Sequence, residues 1–305
     1  MFFRNLIRYG YAPFMVLGLN AAAYYVVSQH HSYAWLALLL GTAFATAFAA
    51  ESIAPWHDEW NQSHGDGTSN IFHLIAYELQ NINGVVLIPV IAWLTPWQPF
   101  WPTEWSLLAQ LLLALVLTDF ALMFLHYLSH RFTFLWRLHA VHHGVARLYG
   151  FNGVVRHPLH QAIDMTIGTA PLVMAGMPVD VAVLLGFAIS VQLIVQHSNV
   201  SYELGPLRNH LSIGQIHHLH HVNWGKEGDC NFGLFLTLWD KLFGTFQPEP
   251  SRKITADDMG VDELPNFPTS YVEQFLLPFR YRPGQGIQEP ATAAAKARAQ
   301  IEAAE

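Results

Sequence analysis

The feature that most restricts the fold of this chain is a long apolar segment, Trp105 to Leu128, which runs directly into a group of histidines. At about 1.5 Å per residue, a helix over this segment reaches roughly 36 Å, enough to cross a bilayer and project beyond it. Charged residues make up only 12% of the chain, against roughly 25% in an ordinary soluble domain. The sequence therefore predicts an all-α, multispanning membrane helical bundle.

Five further apolar stretches support this prediction. Tyr11 to Val27, Ala34 to Ala50 and Ile71 to Leu94 precede the long segment, and a pair at 163–177 and 181–195, interrupted by a Pro-containing turn, predicts a membrane hairpin. The first half of the third stretch carries polar residues that lipid would leave unsatisfied, so they should face protein or a water-filled cavity. Those polar residues are Glu78, Gln80, Asn81 and Asn83.

The crossings also predict how the chain is divided and oriented. Residues 1–104 are expected to form N-terminal transmembrane helices and loops, 105–247 a second domain with the hairpin, and 248–305 a C-terminal extension with a flexible tail from about residue 283. Arg4 and Arg8 favour a cytoplasmic N-terminus. Four crossings and the hairpin then return every histidine group to the cytoplasmic side, as a histidine-rich di-metal cap on an integral, multi-pass membrane protein.

Eighteen histidines are the outlier in the composition. Eight of them form three groups with spacings that bring imidazoles together on adjacent helical turns. The groups are His126 and His130; His139, His142 and His143; and His217, His220 and His221. Neutral imidazole binds iron, zinc or copper, and eight imidazoles exceed what one ion can coordinate, so we expect two metals. Only Cys230 lies near the groups, which argues against a structural zinc site, and there is no pair of Glu-x-x-His motifs typical of soluble di-iron bundles.

Other polar residues near these groups are further candidates. Asp119 lies two helical turns before His126, where it could orient an imidazole, although it could also serve helix packing. His157 or His160 could be a ligand, and His197 is favoured because the hairpin returns it to the side of the groups, the alternative being a helix-capping role. The remaining seven histidines lack ligand spacing and are predicted to be surface or interfacial residues. They are His30, His31, His57, His64, His73, His210 and His218.

Taken together, these motifs resemble the fatty acid hydroxylase and sterol desaturase superfamily of integral membrane di-iron enzymes. The resemblance covers roughly residues 105–247 and includes the three groups, Arg156-His157-Pro158, Asn231-Phe232-Gly233 and the run 238–245. It implies that all eight grouped histidines bind iron, that His157 and His197 complete the ligand set, and that Asp119 and Asn231 are catalytic candidates. The chain departs from the family pattern at His160, Phe232 and Gly214-Gln215, which leaves the subfamily and substrate open.

The resemblance implies a reaction and a set of partners. Two ferrous ions would use O2 as co-substrate to hydroxylate or desaturate a C–H bond of a sterol, fatty acyl or related lipid. The chain contains no haem, flavin or ferredoxin motif, so an external electron donor, consisting of a separate electron-transfer protein and reductase, is expected. A net charge of −7 without a basic stripe argues against nucleic acid as a partner.

Two alternatives from other classes remain at this point. Zinc would bind these imidazoles at least as tightly as ferrous iron, so a zinc-dependent membrane hydrolase is possible, and so is a non-enzymatic metal-binding or transport protein. Against hydrolysis, the groups offer many nitrogens and no obvious general-base glutamate. Against transport, the ligands cluster on one side of the membrane instead of lining a path across it.

Overall fold

A computed structural model describes residues 1–284 and 286–287, and these residues are almost entirely helical. The predicted all-α membrane bundle is therefore confirmed. The helices are α1 (Phe2–Pro13), α2 (Asn20–Ser28), α3 (Ala34–Ile53), α4 (Gly67–Leu94), α5 (Leu107–Ser129), α6 (Thr133–His143), α7 (Pro158–Gly168), α8 (Ala170–Ala175), α9 (Val179–His197), α10 (Gln215–His220), α11 (Leu238–Phe243) and α12 (Tyr271–Arg280). Two short antiparallel strands, β1 (Tyr281–Arg282) and β2 (Gly286–Ile287), follow α12.

Five helical segments in the described part of the chain are long and apolar enough to cross a membrane. They are Phe2–Ser28, Ala34–Ile53, Gly67–Leu94, Leu107–Ser129 and Val179–His197. The first includes α1 and α2, joined by a π-helical segment at Phe14–Leu19. This segment begins directly after Pro13, which has no N–H to donate to the preceding turn, so the helix widens instead of ending.

The predicted membrane hairpin has one continuous arm and one broken arm. Its first arm divides at Thr169 into α7 and α8, and Pro171 occupies the first turn of α8. A left-handed Gly176 and Pro178 then turn the chain into α9. The sequence pattern predicted a single first arm because it registered hydrophobicity and not the local break that a proline favours.

Helix α9 is the centre of the bundle. In α9, 72% of the apolar stretch is buried inside the protein, compared with 11% in α4. It packs against α2, α3 and α5, which explains why it is apolar on all sides instead of along one stripe. Its last residue, His197, is thereby held at one end of the bundle, and α5, α6 and α10 carry the other grouped histidines to the same end.

The C-terminal segment closes over this end. Leu277 and Tyr281 pack on Ala140 and Val141 of α6 in one apolar cluster, so α12 is fixed against a helix that bears histidines.

The predicted flexible tail from about residue 283 lies mostly outside the described residues. The proposed division at 104 and 247 stays a prediction, and so does the cytoplasmic placement of the histidines.

Candidate metal centre

Nine histidines come together in two adjacent groups, each with ligand atoms within 4.8 Å of one another. We call His142, His197, His217 and His221 the four-histidine group. We call His126, His130, His139, His143 and His220 the five-histidine group. Both contain residues from α6 and α10, and α5 contributes only to the second.

The four-histidine group has its ring nitrogens pointing at a common centre. The Nε2 atom of His197 lies 3.2 Å from that of His142 and 3.1 Å from those of His217 and His221. A metal with bonds of about 2.0–2.1 Å to nitrogen separates adjacent ligands by about 3.4 Å in a tetrahedral arrangement and about 3.0 Å in an octahedral one. The observed spacing lies between these values, so the donor set fits a metal ion.

Backbone carbonyls decide which nitrogens face that centre. The Nδ1 atom of His142 donates to the carbonyl of Val155 over 3.0 Å, and that of His197 donates to the carbonyl of Leu193 over 2.7 Å. A carbonyl only accepts, so in the neutral rings the proton is on Nδ1 and Nε2 carries a lone pair. Two lone pairs directed at each other across 3.2 Å repel, and a bound cation removes that repulsion.

In the five-histidine group, too, hydrogen bonds from Nδ1 orient the rings. Here the acceptors are two backbone carbonyls and a carboxylate. His126 donates from Nδ1 to the carbonyl of Phe232 over 2.9 Å, and His220 to that of Cys230 over 2.7 Å. Nδ1 of His130 lies 3.4 Å from a carboxylate oxygen of Asp229. The Nε2 atoms of His126, His130 and His220 are buried without a hydrogen-bond partner, so their lone pairs are free to bind a metal.

The imidazoles outside the membrane-spanning helices are held neutral. Burial lowers the pKa of His142, His143, His220 and His221 well below the ordinary histidine value, and neighbouring imidazoles lower it further. A neutral imidazole keeps the lone pair that a metal needs. The site is therefore ready to bind metal at neutral pH.

Each H-x-x-H-H motif divides its histidines between both groups. In α6, His139 and His143 are four residues apart and join the five-histidine group, while His142 joins the other. At α10 the order is reversed, since His217 and His221 join the four-histidine group and His220 the other. The division follows from the 100° turn per residue of a helix, and it brings the rings of His143 and His221 to 4.6 Å between centroids.

His157, a predicted ligand, is in neither group. Its Nδ1 accepts a hydrogen bond from the backbone N–H of Leu159 over 3.2 Å, and its Nε2 donates to the carbonyl of Phe275 over 2.9 Å. Both ring nitrogens are therefore occupied by backbone groups, because Pro158 begins α7 and His157 caps it. His160, the open alternative, contacts Ser129 and Asp164 and stacks near His139 without joining a group.

The structure also places the two catalytic candidates away from the imidazoles. Asp119 accepts hydrogen bonds from the backbone N–H groups of Phe235 and Leu236 and from the indole of Trp239. Its predicted contact with an imidazole is wrong, because three donors from the 232–239 loop occupy the carboxylate.

Asn231 also holds backbone. Its amide donates to the carbonyls of Ile216 and Gln247 and accepts from the N–H of Gln247, and it adopts a left-handed φ of 54°. Asparagine tolerates this conformation better than most residues. Asn231 thus fixes the turn whose next residue, Phe232, supports His126.

The remaining histidines do not share one environment. His30, His31, His64 and His210 are exposed, as predicted. His57, His73 and His218 are buried, with exposed fractions of 8%, 1% and 1%, so the surface prediction is wrong for these three. His73 contacts the carbonyl of Arg156 and the side chain of Gln274, and His218 packs against Trp56 and Trp60.

A cavity of about 880 Å³ leads from the metal centre into the membrane-spanning helices. His126 and His139 of the five-histidine group and His217 of the four-histidine group line one end of it. Apolar residues of α3, α4, α7 and α9 form most of the remaining wall, and the polar residues predicted to face a cavity from α4 do line it. The dimensions and the apolar wall suit a lipid chain.

Comparison with known proteins gives one consistent result. A family described as fatty acid hydroxylase matches residues 111–245. The chain is 30% identical over 252 residues to the ornithine lipid hydroxylase OlsE of Rhizobium tropici, covering 78% of this chain and 74% of that protein.

More distant relatives match over shorter lengths. Identity is 30% over 159 residues with the alkylglycerol monooxygenase of Danio rerio, covering 52% of this chain and 33% of that protein. It is 26% over 148 residues with sphinganine C4-monooxygenase 2 of Arabidopsis thaliana, covering 47% of this chain and 56% of that protein. The chain spans a third of the alkylglycerol monooxygenase and about half of the sphinganine enzyme. No solved structure matches the chain.

Proposed function

This chain belongs to the fatty acid hydroxylase family, and we propose that it is a di-iron membrane enzyme that uses O2 to hydroxylate a C–H bond of a lipid. The relatives are lipid hydroxylases and monooxygenases by name. Hydroxylation is accordingly favoured over desaturation. That the substrate is a lipid follows from the family, and the identity of the metal is inferred from the donor set.

The observation that carries the proposal is the meeting of two imidazole groups at the end of an apolar cavity. The Nε2 lone pairs of His142 and His197 face each other across 3.2 Å, and the Nε2 atoms of His217 and His221 lie 3.1 Å from that of His197. A second set of unpartnered nitrogens lies beside it. Nine imidazoles supply enough ligands for two metals but no bridging carboxylate, a donor set suited to iron, which when bound would activate O2 and supply the oxidising power.

The protein's own residues provide position and a dry environment. The carbonyls of Phe232, Cys230, Val155 and Leu193 fix the orientation of four imidazoles. The apolar wall of the cavity holds a lipid chain and excludes water, which prevents loss of oxidising equivalents to solvent. His126, His139 and His217 reach the cavity surface, so the carbon to be hydroxylated would lie against them.

We further propose that the electrons come from a separate carrier protein and reductase. The Arg-rich linker from Arg131 to Arg156 supports a cytoplasmic location for the centre, where such carriers would reach it. This orientation makes the face that carries α6 and α10 the approach side.

The test is metal analysis combined with oxygen chemistry on detergent-purified protein. After loading with ferrous iron, we expect about two irons per chain and O2 uptake that rises when a lipid extract and a chemical reductant are added. With isotopically labelled O2, the lipid product should gain one labelled oxygen atom, as measured by mass spectrometry. Tightly held zinc, with no O2 uptake after iron loading, would contradict the proposal and favour a zinc hydrolase or metal-binding protein.

A further inference from the structure

The wall of the cavity contains a polar stretch that the metal chemistry does not use. Helix α4 and helix α7 contribute side chains to this stretch away from the imidazole groups. They are Glu78, Gln80, Asn81, Asn83, Gln161 and Asp164. A lipid chain needs no such residues, and polar groups within membrane-spanning helices are costly unless they have a partner.

Glu78 is the least satisfied member of this stretch. Its Oε1 atom is buried and has no hydrogen-bond partner. Its Oε2 atom has only a long contact of 3.5 Å from the amide of Asn81. A carboxylate removed from water without a counter-charge costs several kcal/mol, so a cationic group bound beside Glu78 would be strongly stabilised.

Asp164 is the second carboxylate that lines this cavity. Unlike Glu78 it has a counter-charge, so the two can be compared. Asp164 pairs with Arg156 over 2.7 Å and lies 3.3 Å from a ring nitrogen of His160. Among the described residues Glu78 takes part in no salt bridge with lysine, arginine or histidine, and its contact with Asn81 is uncharged. The negative charge of Asp164 is therefore balanced within the chain, and that of Glu78 is not.

The glutamine side chains that share this wall with Glu78 have acceptor oxygens left without a hydrogen bond, while their amide N–H groups already donate. The Nε2 atom of Gln80 donates to the carbonyl of Pro158, while its Oε1 is buried without a partner. Gln161 donates to the carbonyl of Tyr77 and to the side-chain oxygen of Asn81. The amide donors of both glutamines are thus already engaged, and free acceptor oxygens remain. An ammonium group offers three donors and no acceptor.

The position of Glu78 on α4 suits a lipid that enters from the bilayer. Its neighbour Leu79 is 61% exposed on the outer surface of the helix, whereas Tyr77 on the other side is 6% exposed and faces the bundle. Glu78 lies between these two faces and lines the cavity that also reaches His126 and His139. One cavity therefore connects Glu78 with the imidazole groups. A lipid whose head group is bound at Glu78 would lie in the cavity that leads to those groups.

We propose that Glu78 binds the ammonium group of an amine-bearing lipid head group, so that the cavity selects lipids with a primary amine. The inference rests on the proposed function in that the occupant of the cavity is the lipid substrate. The amine is bound by a charge-assisted hydrogen bond to the carboxylate, and Asn81, one helical turn further along α4 and in contact with Glu78, supplies a neutral oxygen beside it.

Lipid binding tests this inference without relying on turnover. The probes are phosphatidylethanolamine and its N-acetyl derivative, which has the same acyl chains and phosphate but lacks the ammonium group. Binding to the full-length, metal-free protein in detergent is measured by native mass spectrometry. We expect the wild-type protein to bind the amine lipid about tenfold more tightly, the effect of one charge-assisted hydrogen bond.

Three substitutions separate the role of Glu78 from a general loss of charge. In Glu78→Gln the preference should fall to about twofold or less, while Glu104→Gln, at an exposed carboxylate in the loop before α5, should keep it. Glu78→Asp retains the charge and should keep a preference above that of Glu78→Gln, which controls for folding. Equal binding of both lipids by the wild-type protein, or an unchanged preference in Glu78→Gln, would overturn the inference.

The same preparation distinguishes this failure from failure of the proposed function. Iron-loaded protein that takes up no O2 with any lipid, yet prefers the amine lipid in a Glu78-dependent way, contradicts the oxygenase and supports the head-group site. Lipid-stimulated O2 uptake with no preference for the amine lipid supports the oxygenase and contradicts the head-group site.

Discussion

The two imidazole groups share helices α6 and α10 but are supported in different ways. All members of the four-histidine group are buried, and His142 and His197 are oriented by backbone carbonyls. The five-histidine group includes half-buried His126 and His130 and uses the carboxylate of Asp229 as one support. It presents two residues to the cavity, whereas the four-histidine group presents one, His217. Metal sites that serve chemistry are generally the more open ones, so we infer that the five-histidine group is nearer the substrate.

The largest effect should come from removing one ligand from each group. We expect His142→Ala and His220→Ala each to lower lipid hydroxylation by more than about a hundredfold, above the usual effect of losing a ligand's support. His64→Ala, at an exposed histidine, is the control and should retain activity. Metal analysis of the purified variants should show reduced metal in both. Full activity in either ligand variant would remove that group from the reaction.

A smaller effect should distinguish the supports of the two groups. Asp229→Asn removes the charge that faces His130 and should weaken metal binding about 10–100-fold. Asp257→Asn, at an exposed carboxylate, is the matched control. Competition with a chelator measures the effect, and we expect this variant to release metal at a lower chelator concentration than the wild-type protein does. A release curve like that of the wild type would mean that Asp229 does not support the five-histidine group.

Acid should destabilise the metal-free protein. Burial lowers the pKa of His142, His143, His220 and His221 in the folded state, whereas an unfolded histidine titrates near 6.5. Below about pH 6.5 the unfolded state binds more protons, so stability falls with pH by up to about 1.4 kcal/mol per unit for each such histidine. Thermal unfolding in detergent at several pH values measures this. A midpoint that rises as the pH falls would contradict neutral, buried imidazoles.

The smallest effect on the centre should come from His157. Its two backbone hydrogen bonds lie outside both groups, so His157→Ala should cost about 1–3 kcal/mol of stability and leave the metal content unchanged. Metal analysis alongside thermal unfolding separates these two results. A loss of one metal per chain would restore His157 to the ligand set.

The sequence predicted the helical bundle and all nine of the convergent histidines, but not the groups that orient them. Apolar length and imidazole spacing are properties of side chains, so the spans and the three groups are visible in the sequence. The supports of His126, His142, His197 and His220 are backbone carbonyls, which have no characteristic residue type. Their positions depend on where the chain returns, and so the pattern of residues does not reveal them.

Asp119 and the hairpin show where local pattern is insufficient. Its spacing placed Asp119 on the face of α5 that bears His126, and both residues do face the 232–239 loop. The carboxylate is nevertheless filled by donors more than a hundred residues away in sequence. Likewise the break at Thr169 in the first hairpin arm depends on local backbone preference near Pro171, which a hydropathy pattern does not contain.

The sharing of α6 and α10 between the two groups has a consequence for how the centre assembles. A metal bound by His142, His217 and His221 would fix the same two helical segments that present His139, His143 and His220. Binding of the first metal thus fixes the helices that also carry the ligands of the second. The second metal then binds with a smaller loss of conformational entropy, which makes binding positively cooperative. Titration of the metal-free protein should accordingly show few singly loaded molecules at half saturation, and a statistical distribution of loaded states would contradict this coupling.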